Sequence, residues 1–256
     1  MRGRWYNEQG YTHHIPMHLH NDTSQVAVGS IRFPDVSNAV NMEKWINRFA
    51  GAMQFLTWFV LYPLFNVVFS LKVYGRDNIN RLDGPFIIIS NHISFYDSFL
   101  FRVILGPFTR HLPLRFVGVR NFEWPVLNML RAVGIIDLIY RLFGVIVVVP
   151  GRGLASNLSR VIEVIHAGGN VVIYPEGRIN QSHGVGQFKK GAAALATQTG
   201  VPVIPIAFRL GRRKFLRREL TVVIGVGEHV VAGTSFEEIT ATLHSKVEEL
   251  YNGVDM

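Results

Sequence analysis

The stretch Gly84-Pro85-Phe86-Ile87-Ile88-Ile89-Ser90-Asn91-His92-Ile93-Ser94-Phe95-Tyr96-Asp97 decides how the chain folds. After the Gly84-Pro85 turn, Phe86 to Ser90 is an apolar run of strand length and reads as a short buried strand. From Ser94 to about Leu105 the apolar residues Phe95, Phe99 and Val103 recur at helical spacing. The Asn91 to Asp97 block therefore lies where a strand ends and a helix begins, the place where open α/β sheets put their ligands.

The same alternation continues outward. Leu114 to Val119 and Ile146 to Val149 read as strands, and Leu154 to His166 as an amphipathic helix closed by Gly168 and Gly169. Val171 to Tyr174 is a strand, Gly191 to Thr199 a helix stopped by Gly200, and Val203 to Ala207 and Leu220 to Ile224 further strands. A last helix is expected from Thr234, where Thr234 and Glu237 have capping-box spacing, to about Tyr251. Strands alternating with helices predict an α/β layered domain with a largely parallel central sheet flanked by helices.

Composition narrows the surroundings. The 256 residues suffice for one domain with a substantial core. The chain is 48% hydrophobic and 17% charged, below the usual charged share of about 25%. With a mean hydropathy of +0.22, this fits a protein with one surface in lipid, though a dense α/β core gives the same figure. The net charge of +8 suits nucleic acid, an anionic membrane or an anionic substrate. There is no cysteine, which excludes disulfides, thiolate metal sites and a cysteine nucleophile.

Residues 1 to about 42 are polar and irregular, broken by Gly10, Pro16, Asn21, Gly29 and Pro34, with no signal-peptide pattern at the start. His13, His14, His18 and His20 cluster there without an interleaved acid, which reads as a solvated arm rather than a metal site. From Phe49 to Leu71 the chain carries no charge and is long enough to cross a bilayer as a helix. Pro63 lies inside it and is expected to kink or split it. A single span, two short helices entering and leaving one leaflet, and a buried core helix all remain open. Lys44 and Arg48 before the run and Lys72 and Arg76 after it give no orientation.

In the first block, His92 is suited to take a proton near neutral pH, and Asp97 to hold its ring in one tautomer. Residues five apart on a regular helix are about 140° apart around the axis. The two therefore meet only if His92 sits in the loop before the first turn. A second block, Tyr174-Pro175-Glu176-Gly177-Arg178, again ends a strand. Gly177 permits a tight turn and close backbone approach, Arg178 offers a planar fork for phosphate, and Glu176 is placed to orient that arginine or a hydroxyl. Val148-Val149-Pro150-Gly151-Arg152-Gly153 supplies a second arginine after a strand, able to meet Arg178 if the two strands are neighbours. Val201-Pro202-Val203-Ile204-Pro205-Ile206 reads as a buried strand at a cavity wall. Each block alone is also compatible with an ordinary turn, loop or helix start.

Taken in order, these four blocks resemble the motifs of the glycerolipid acyltransferase family, which includes the 1-acylglycerol-3-phosphate acyltransferases. Phe188-Lys189-Lys190-Gly191 is similar to the family's stretch between the last two, and the resemblance covers about residues 72 to 210. It implies O-acyl transfer from acyl-CoA or acyl-carrier protein to the free hydroxyl of 1-acylglycerol-3-phosphate, with no cofactor beyond that co-substrate and no metal. His92 and Asp97 are the implied catalytic pair, His92 as general base. Arg152, Glu176, Gly177 and Arg178 are the implied acceptor site, with nearby backbone N–H groups for the oxyanion. The expected division is a polar arm over 1–42, a membrane-anchoring helical segment over 43–72 and the acyltransferase domain over 73–256.

One departure bears on the acceptor. Many members carry a threonine between the glycine and the arginine of the second block, whereas Arg178 follows Gly177 at once. A lysophospholipid acyltransferase or transacylase with a different head group therefore stays open, as does a catalytically silent lipid-binding membrane protein. The expected partners are a lipid bilayer, the lysophospholipid and the acyl donor. Nucleic acid is not among them, because no helix is packed with basic and aromatic residues. Arg209, Arg212, Arg213, Lys214, Arg217 and Arg218 crowd an expected loop, suited to lipid head groups, to a donor's phosphates or to plain solvation. Phe122, Trp124, Val126, Leu127 and Leu130 fit an amphipathic helix, at an interface or against the core.

Overall fold

Ile87, Ile88 and Ile89 are fully buried, so their strand is covered on both faces and belongs in the middle of a sheet. The computed structural model describes residues 27–28, 31–32, 40–119, 125–149, 153–180 and 184–253. In chain order the elements are β1 (Ala27–Val28), β2 (Ile31–Arg32), α1 (Val40–Val68), β3 (Phe69–Tyr74), α2 (Arg76–Asn80), β4 (Ile87–Ser90), α3 (Asp97–Leu105), β5 (Leu114–Val119), α4 (Pro125–Ala132), α5 (Ile135–Phe143), β6 (Ile146–Val148), α6 (Leu154–His166), β7 (Asn170–Ile173), α7 (Gly191–Thr199), β8 (Val203–Lys214), β9 (Arg217–Ile224) and α8 (Phe236–Asn252). β1 and β2 form a small antiparallel pair. The other seven strands make one sheet in the order β3-β9-β8-β4-β7-β5-β6. Every pairing in it is parallel except β8 with β9, so the expected largely parallel α/β architecture is present.

Side chains alternate along the strands into two cores. Ile87 and Ile89 pack with α6, α7 and α8 on one face. Ile88, Val172 and Ile204 pack with α3 and with Phe65 and Phe69 on the other. Right-handed crossovers explain the split. From β4 the chain runs through α3 towards β5, and from β7 it runs through α7 in the opposite direction to β8. The switch point, where the two connections leave on opposite faces of the sheet, lies between the neighbouring strands β4 and β7. In open α/β sheets such a point is where the ligand crevice forms, at the carboxyl ends of the two strands.

Four expectations change. The uncharged run to Leu71 is not all helix: α1 ends at Val68 and Phe69–Tyr74 is an edge strand paired with β9, so the expected division after residue 72 falls inside β3. An apolar count does not register a switch of period from helix to strand. Pro63 does not split the helix, which continues on both sides of it. One ring removes a single backbone donor, and Phe65 stays packed in the core beyond it. The basic segment is not a loop: β8 and β9 run through it as a hairpin, pairing Lys214 with Arg217 around a two-residue turn. At the last helix the cap is Ser235, whose hydroxyl accepts from the Glu238 N–H at 3.2 Å. Glu237 instead pairs with Lys190. Ser235 and Glu238 repeat the spacing of Thr234 and Glu237 one residue later, so spacing alone does not distinguish them.

Helix α1 is inverted relative to a soluble helix. Its buried stripe carries Glu43, Asn47, Ala50 and Gln54, while Trp45, Phe49, Leu56, Phe59, Val60, Leu64 and Val67 are exposed. Gln54 donates to Leu114 O at 2.6 Å and accepts from Leu114 N–H at 2.9 Å. Glu43 pairs with buried Arg115 at 3.0 Å and with Arg160 at 3.1 Å. Glu43–Val68 is long and apolar enough to cross a membrane. On α4, Val126 and Met129 are exposed and nothing is buried, so it does not pack as a core helix. Phe122, Trp124 and the histidines of the N-terminal arm lie outside the described residues.

Candidate active site

Strand β4 ends at Ser90, and the next side chain completes the sheet in its place. Asn91 donates from Nδ2 to Phe208 O at 2.9 Å and accepts at Oδ1 from Phe208 N–H at 2.8 Å. The amide adds one more rung between β4 and β8 while the backbone turns away, which is how His92 comes to lie in a loop. Residues 91–96 are not helical and α3 begins at Asp97. The geometry that the five-residue spacing demands is thus present.

Asp97 gathers that loop. Its Oδ2 accepts from Ile93 N–H at 2.7 Å and Ser94 N–H at 2.9 Å, and lies 2.9 Å from His92 Nδ1. The carboxylate is fully buried, whereas the imidazole is 18% exposed. Burial pushes the Asp97 carboxyl above its ordinary value, against the hydrogen bonds from His92, Ser94 and Ile93 that pull it down. With Oδ2 accepting three bonds, the consistent tautomer has the proton on His92 Nδ1, leaving Nε2 as an acceptor. Tyr174 stacks on the imidazole with centroids 4.0 Å apart and planes 13° apart, and its hydroxyl lies 3.4 Å from Ser98 Oγ.

The second block comes to the same place because β7 adjoins β4. Glu176 is buried and does not project towards open space. Its Oε1 accepts from the His92 N–H at 3.2 Å, and Asn180 N–H donates to His92 O at 2.7 Å. Both backbone groups of His92 are therefore held by the β7–α7 loop. Glu176 also accepts from Gly186 N–H and the Asn180 side chain. Burial raises its carboxyl above the ordinary value, against those bonds.

Gly177 has φ +68, and a Cβ there would come within 2.5 Å of Lys189 Nζ. The lysine stem thus lies over the glycine. Arg178 is exposed, and among the described residues its guanidinium has no hydrogen-bond or ion-pair partner. The second arginine does not meet the stated condition: β5 lies between β6 and β7, so their loops do not leave neighbouring strands. Arg152 itself lies outside the described residues. The N–H groups after His92 are used by Asp97, and that of Gly177 bonds Tyr174 O at 3.0 Å. These three are therefore not free for an oxyanion.

A crevice holding a loop histidine on a buried aspartate, with cations beside it, has the same composition as the family's motifs. The family model described as Acyltransferase matches residues 70–209, more than half of the chain. The chain belongs to the acyltransferase family. Relatives of this acyltransferase-family chain include the human 1-acyl-sn-glycerol-3-phosphate acyltransferase beta, 30% identical over 68% of this chain and 58% of that protein. A Pseudomonas aeruginosa 1-acyl-sn-glycerol-3-phosphate acyltransferase is 29% identical over 55% of this chain and 50% of its own length. The chloroplastic protein of that name, BAT2, from Brassica napus is 29% identical over 57% of this chain and 38% of its length. The chain thus spans under two fifths of the plant and algal relatives it matches. The crystal structure of the LPA acyltransferase PlsC from Thermotoga maritima shares the fold, with a TM-score of 0.52, 21% identity, and coverage of 86% of this chain and 83% of that one.

Within this acyltransferase fold, four residues had no role in the sequence reading: Asn91, Tyr174, Asn180 and Lys189. For Asn91 and Tyr174 the only signal is their place beside the motif residues. For Lys189 it is the Phe188-Lys189-Lys190-Gly191 stretch. Asn180 gave none, since it acts through its backbone N–H and its contact with Glu176.

Proposed function

We propose that the protein is a membrane-bound O-acyltransferase that moves a fatty acyl group from acyl-CoA or acyl-carrier protein to the free hydroxyl of 1-acylglycerol-3-phosphate. The observation that carries this is the His92–Asp97 pair at 2.9 Å in the crevice between β4 and β7. His92 Nε2 takes the proton of the acceptor hydroxyl as its oxygen attacks the thioester carbonyl. Asp97 holds the ring and stabilises the imidazolium. The tetrahedral adduct expels the donor's thiolate, which recovers the proton from His92. No acyl-enzyme is needed.

Arg178 and Lys189 take the acceptor's phosphate, and Gly177 leaves the room that the Lys189 stem occupies beside it. Glu176 frames the site by fixing the backbone of His92. Arg152 joins this site on the family resemblance alone. The relatives' printed names support the acceptor, and the exposed apolar face of α1 supports the membrane. The polar staples at Glu43, Asn47 and Gln54 hold the first half of α1 on the domain, so the helix lies along it rather than standing free.

The Gly177-Arg178 junction favours a second reading, a lysophospholipid acyltransferase or transacylase with a larger head group, because Arg178 is exposed and its guanidinium has no partner among the described residues. The test is to supply labelled acyl-CoA and a panel of lysolipids to the purified chain in vesicles. Acylation of lysophosphatidic acid, lost in His92→Ala at unchanged folding, is the expected result. An active His92→Ala variant removes the mechanism, and preference for another lysolipid selects the second reading.

A further inference from the structure

Between Arg209 and Glu219 the chain carries six basic residues and one acid. The structure lays this segment out as the β8–β9 hairpin, with Phe215 and Leu216 at its turn. Phe215 is 101% exposed and Leu216 81%. Phe215 also has φ +52, a backbone conformation that hairpin turns normally give to glycine, asparagine or aspartate. A solvated turn thus leaves a large aromatic and a leucine in water, and the positive φ at Phe215 shows that the turn holds its aromatic there at a backbone cost. Behind them, Arg212, Arg213, Arg217 and Arg218 are exposed. The guanidinium groups of Arg212 and Arg213 have no hydrogen-bond or ion-pair partner among the described residues.

The topology places the tip. β8 is parallel to β4 and pairs with it only as far as Ile206 opposite Ser90. It then continues to Lys214, roughly 25 Å further at about 3.3 Å per residue. The hairpin therefore projects from the same sheet edge that carries His92 and Glu176. The end of α1 meets it there: Phe69 pairs with Arg218, and Phe69 O accepts from Arg217 Nη2 at 2.7 Å. The exposed Leu64, Val67 and Val68 lie on the last turns of α1, which lead directly into Phe69.

We propose that the β8–β9 hairpin is a second membrane contact, with Phe215 and Leu216 entering the head-group boundary of an anionic bilayer and Arg212, Arg213, Arg217 and Arg218 binding its phosphates. This rests on the membrane-bound reading above and adds to it. Two contacts, α1 and the hairpin, fix the tilt of the domain and turn the crevice towards the lipid that supplies the acceptor. Apolar tip and cationic collar together match a lipid surface, whereas a donor's phosphates would call for the cations without the exposed Phe215 and Leu216.

Because the chain has no cysteine, Leu216→Cys gives a single thiol for an environment-sensitive nitrobenzoxadiazole label on the full chain. Asp83→Cys, exposed before β4 at the opposite sheet edge, is the control. With phosphatidylcholine vesicles containing phosphatidylglycerol, the label at 216 is expected to shift to the blue and be quenched by nitroxide-labelled acyl chains, and the label at 83 is not. In the Leu216→Cys background, R212Q/R213Q is expected to weaken the phosphatidylglycerol-dependent shift about 25-fold, about fivefold per cation. A water-exposed label at 216 on chain that floats with the vesicles overturns the hairpin contact and leaves α1 as the anchor. Chain that does not float at all overturns the membrane-bound reading itself. A water-exposed label, with R212Q/R213Q raising the acyl-CoA KM in detergent, makes the hairpin a donor phosphate site instead.

Discussion

Replacing Asp97 by asparagine is expected to separate catalysis from folding. In the proposed mechanism His92 accepts a proton in the transition state, and the imidazolium forms beside a fully buried carboxylate, with Nδ1 and Oδ2 2.9 Å apart. Taking the charge centres about 4 Å apart and an effective dielectric of about 20, the attraction is about 4 kcal/mol, or roughly a thousandfold in rate. The amide forfeits most of that. It also offers an N–H2 where the buried Oδ1 has no partner. Stability responds differently. Three hydrogen bonds lose charge assistance, about 1 kcal/mol each. Against this, burial raises the Asp97 carboxyl, so the folded state gives up stability as pH rises through that raised value, a loss an amide avoids. Net stability of Asp97→Asn near neutral pH should lie within about 2 kcal/mol of the parent, or about 6 °C in Tm. The assay is acyl transfer from labelled acyl-CoA in vesicles, with Tm read by circular dichroism on the same preparations. A folded Asp97→Asn chain retaining a tenth or more of the parental kcat would refute the reasoning.

Arg178→Ala should raise the KM for a phosphate-bearing acceptor about tenfold and leave the donor KM unchanged; movement of the donor constant alone would relocate the phosphate site. Gln54→Ala leaves the buried N–H and C=O of Leu114 without partners, so unfolding in denaturant should show a loss of about 2–4 kcal/mol. Glu176→Gln keeps an oxygen for the His92 N–H but turns an amide towards Gly186 N–H, so kcat should fall while the acceptor KM holds. Burial raises the Glu176 carboxyl, which therefore favours folding below about 4.5 and loses that advantage as pH climbs through the folded value. The stability of Glu176→Gln relative to the parent should accordingly improve with pH across that window, measured by denaturant titration.

Much of the fold is written in local pattern. Ile87 to Ile89, Leu154 to His166 and Gly191 to Thr199 announce strand, helix and helix by period and by terminal glycine, and the structure has each. Where period is silent, the sequence reading moves. Phe69 to Tyr74 continues an apolar run and is a strand only because β9 lies beside it. The arginines from 209 to 218 look like a loop, and become a hairpin because an antiparallel partner satisfies their backbone without requiring burial.

The candidate site divides the same way. His92, Asp97, Glu176, Gly177 and Arg178 stand out as residue types at strand ends, and a loop position for His92 follows from helical geometry alone. What Glu176 does is not local: its carboxylate reaches the backbone of a residue 84 positions earlier. Asn91 serves the site through a backbone 117 positions away.

By itself, then, the sequence determined the alternation of strands and helices, the ordered motifs, the absence of a cysteine nucleophile and an uncharged segment long enough to cross a bilayer. These are carried by residue type and spacing within one element. Only the tertiary structure decided that β4 and β7 are neighbours, that β5 lies between β6 and β7, and that α1 turns its polar stripe inward. It also decided that the basic segment rises beside the crevice. Each depends on which strand pairs with which, and that is settled by long-range hydrogen bonding and burial of the whole chain rather than by any stretch of it.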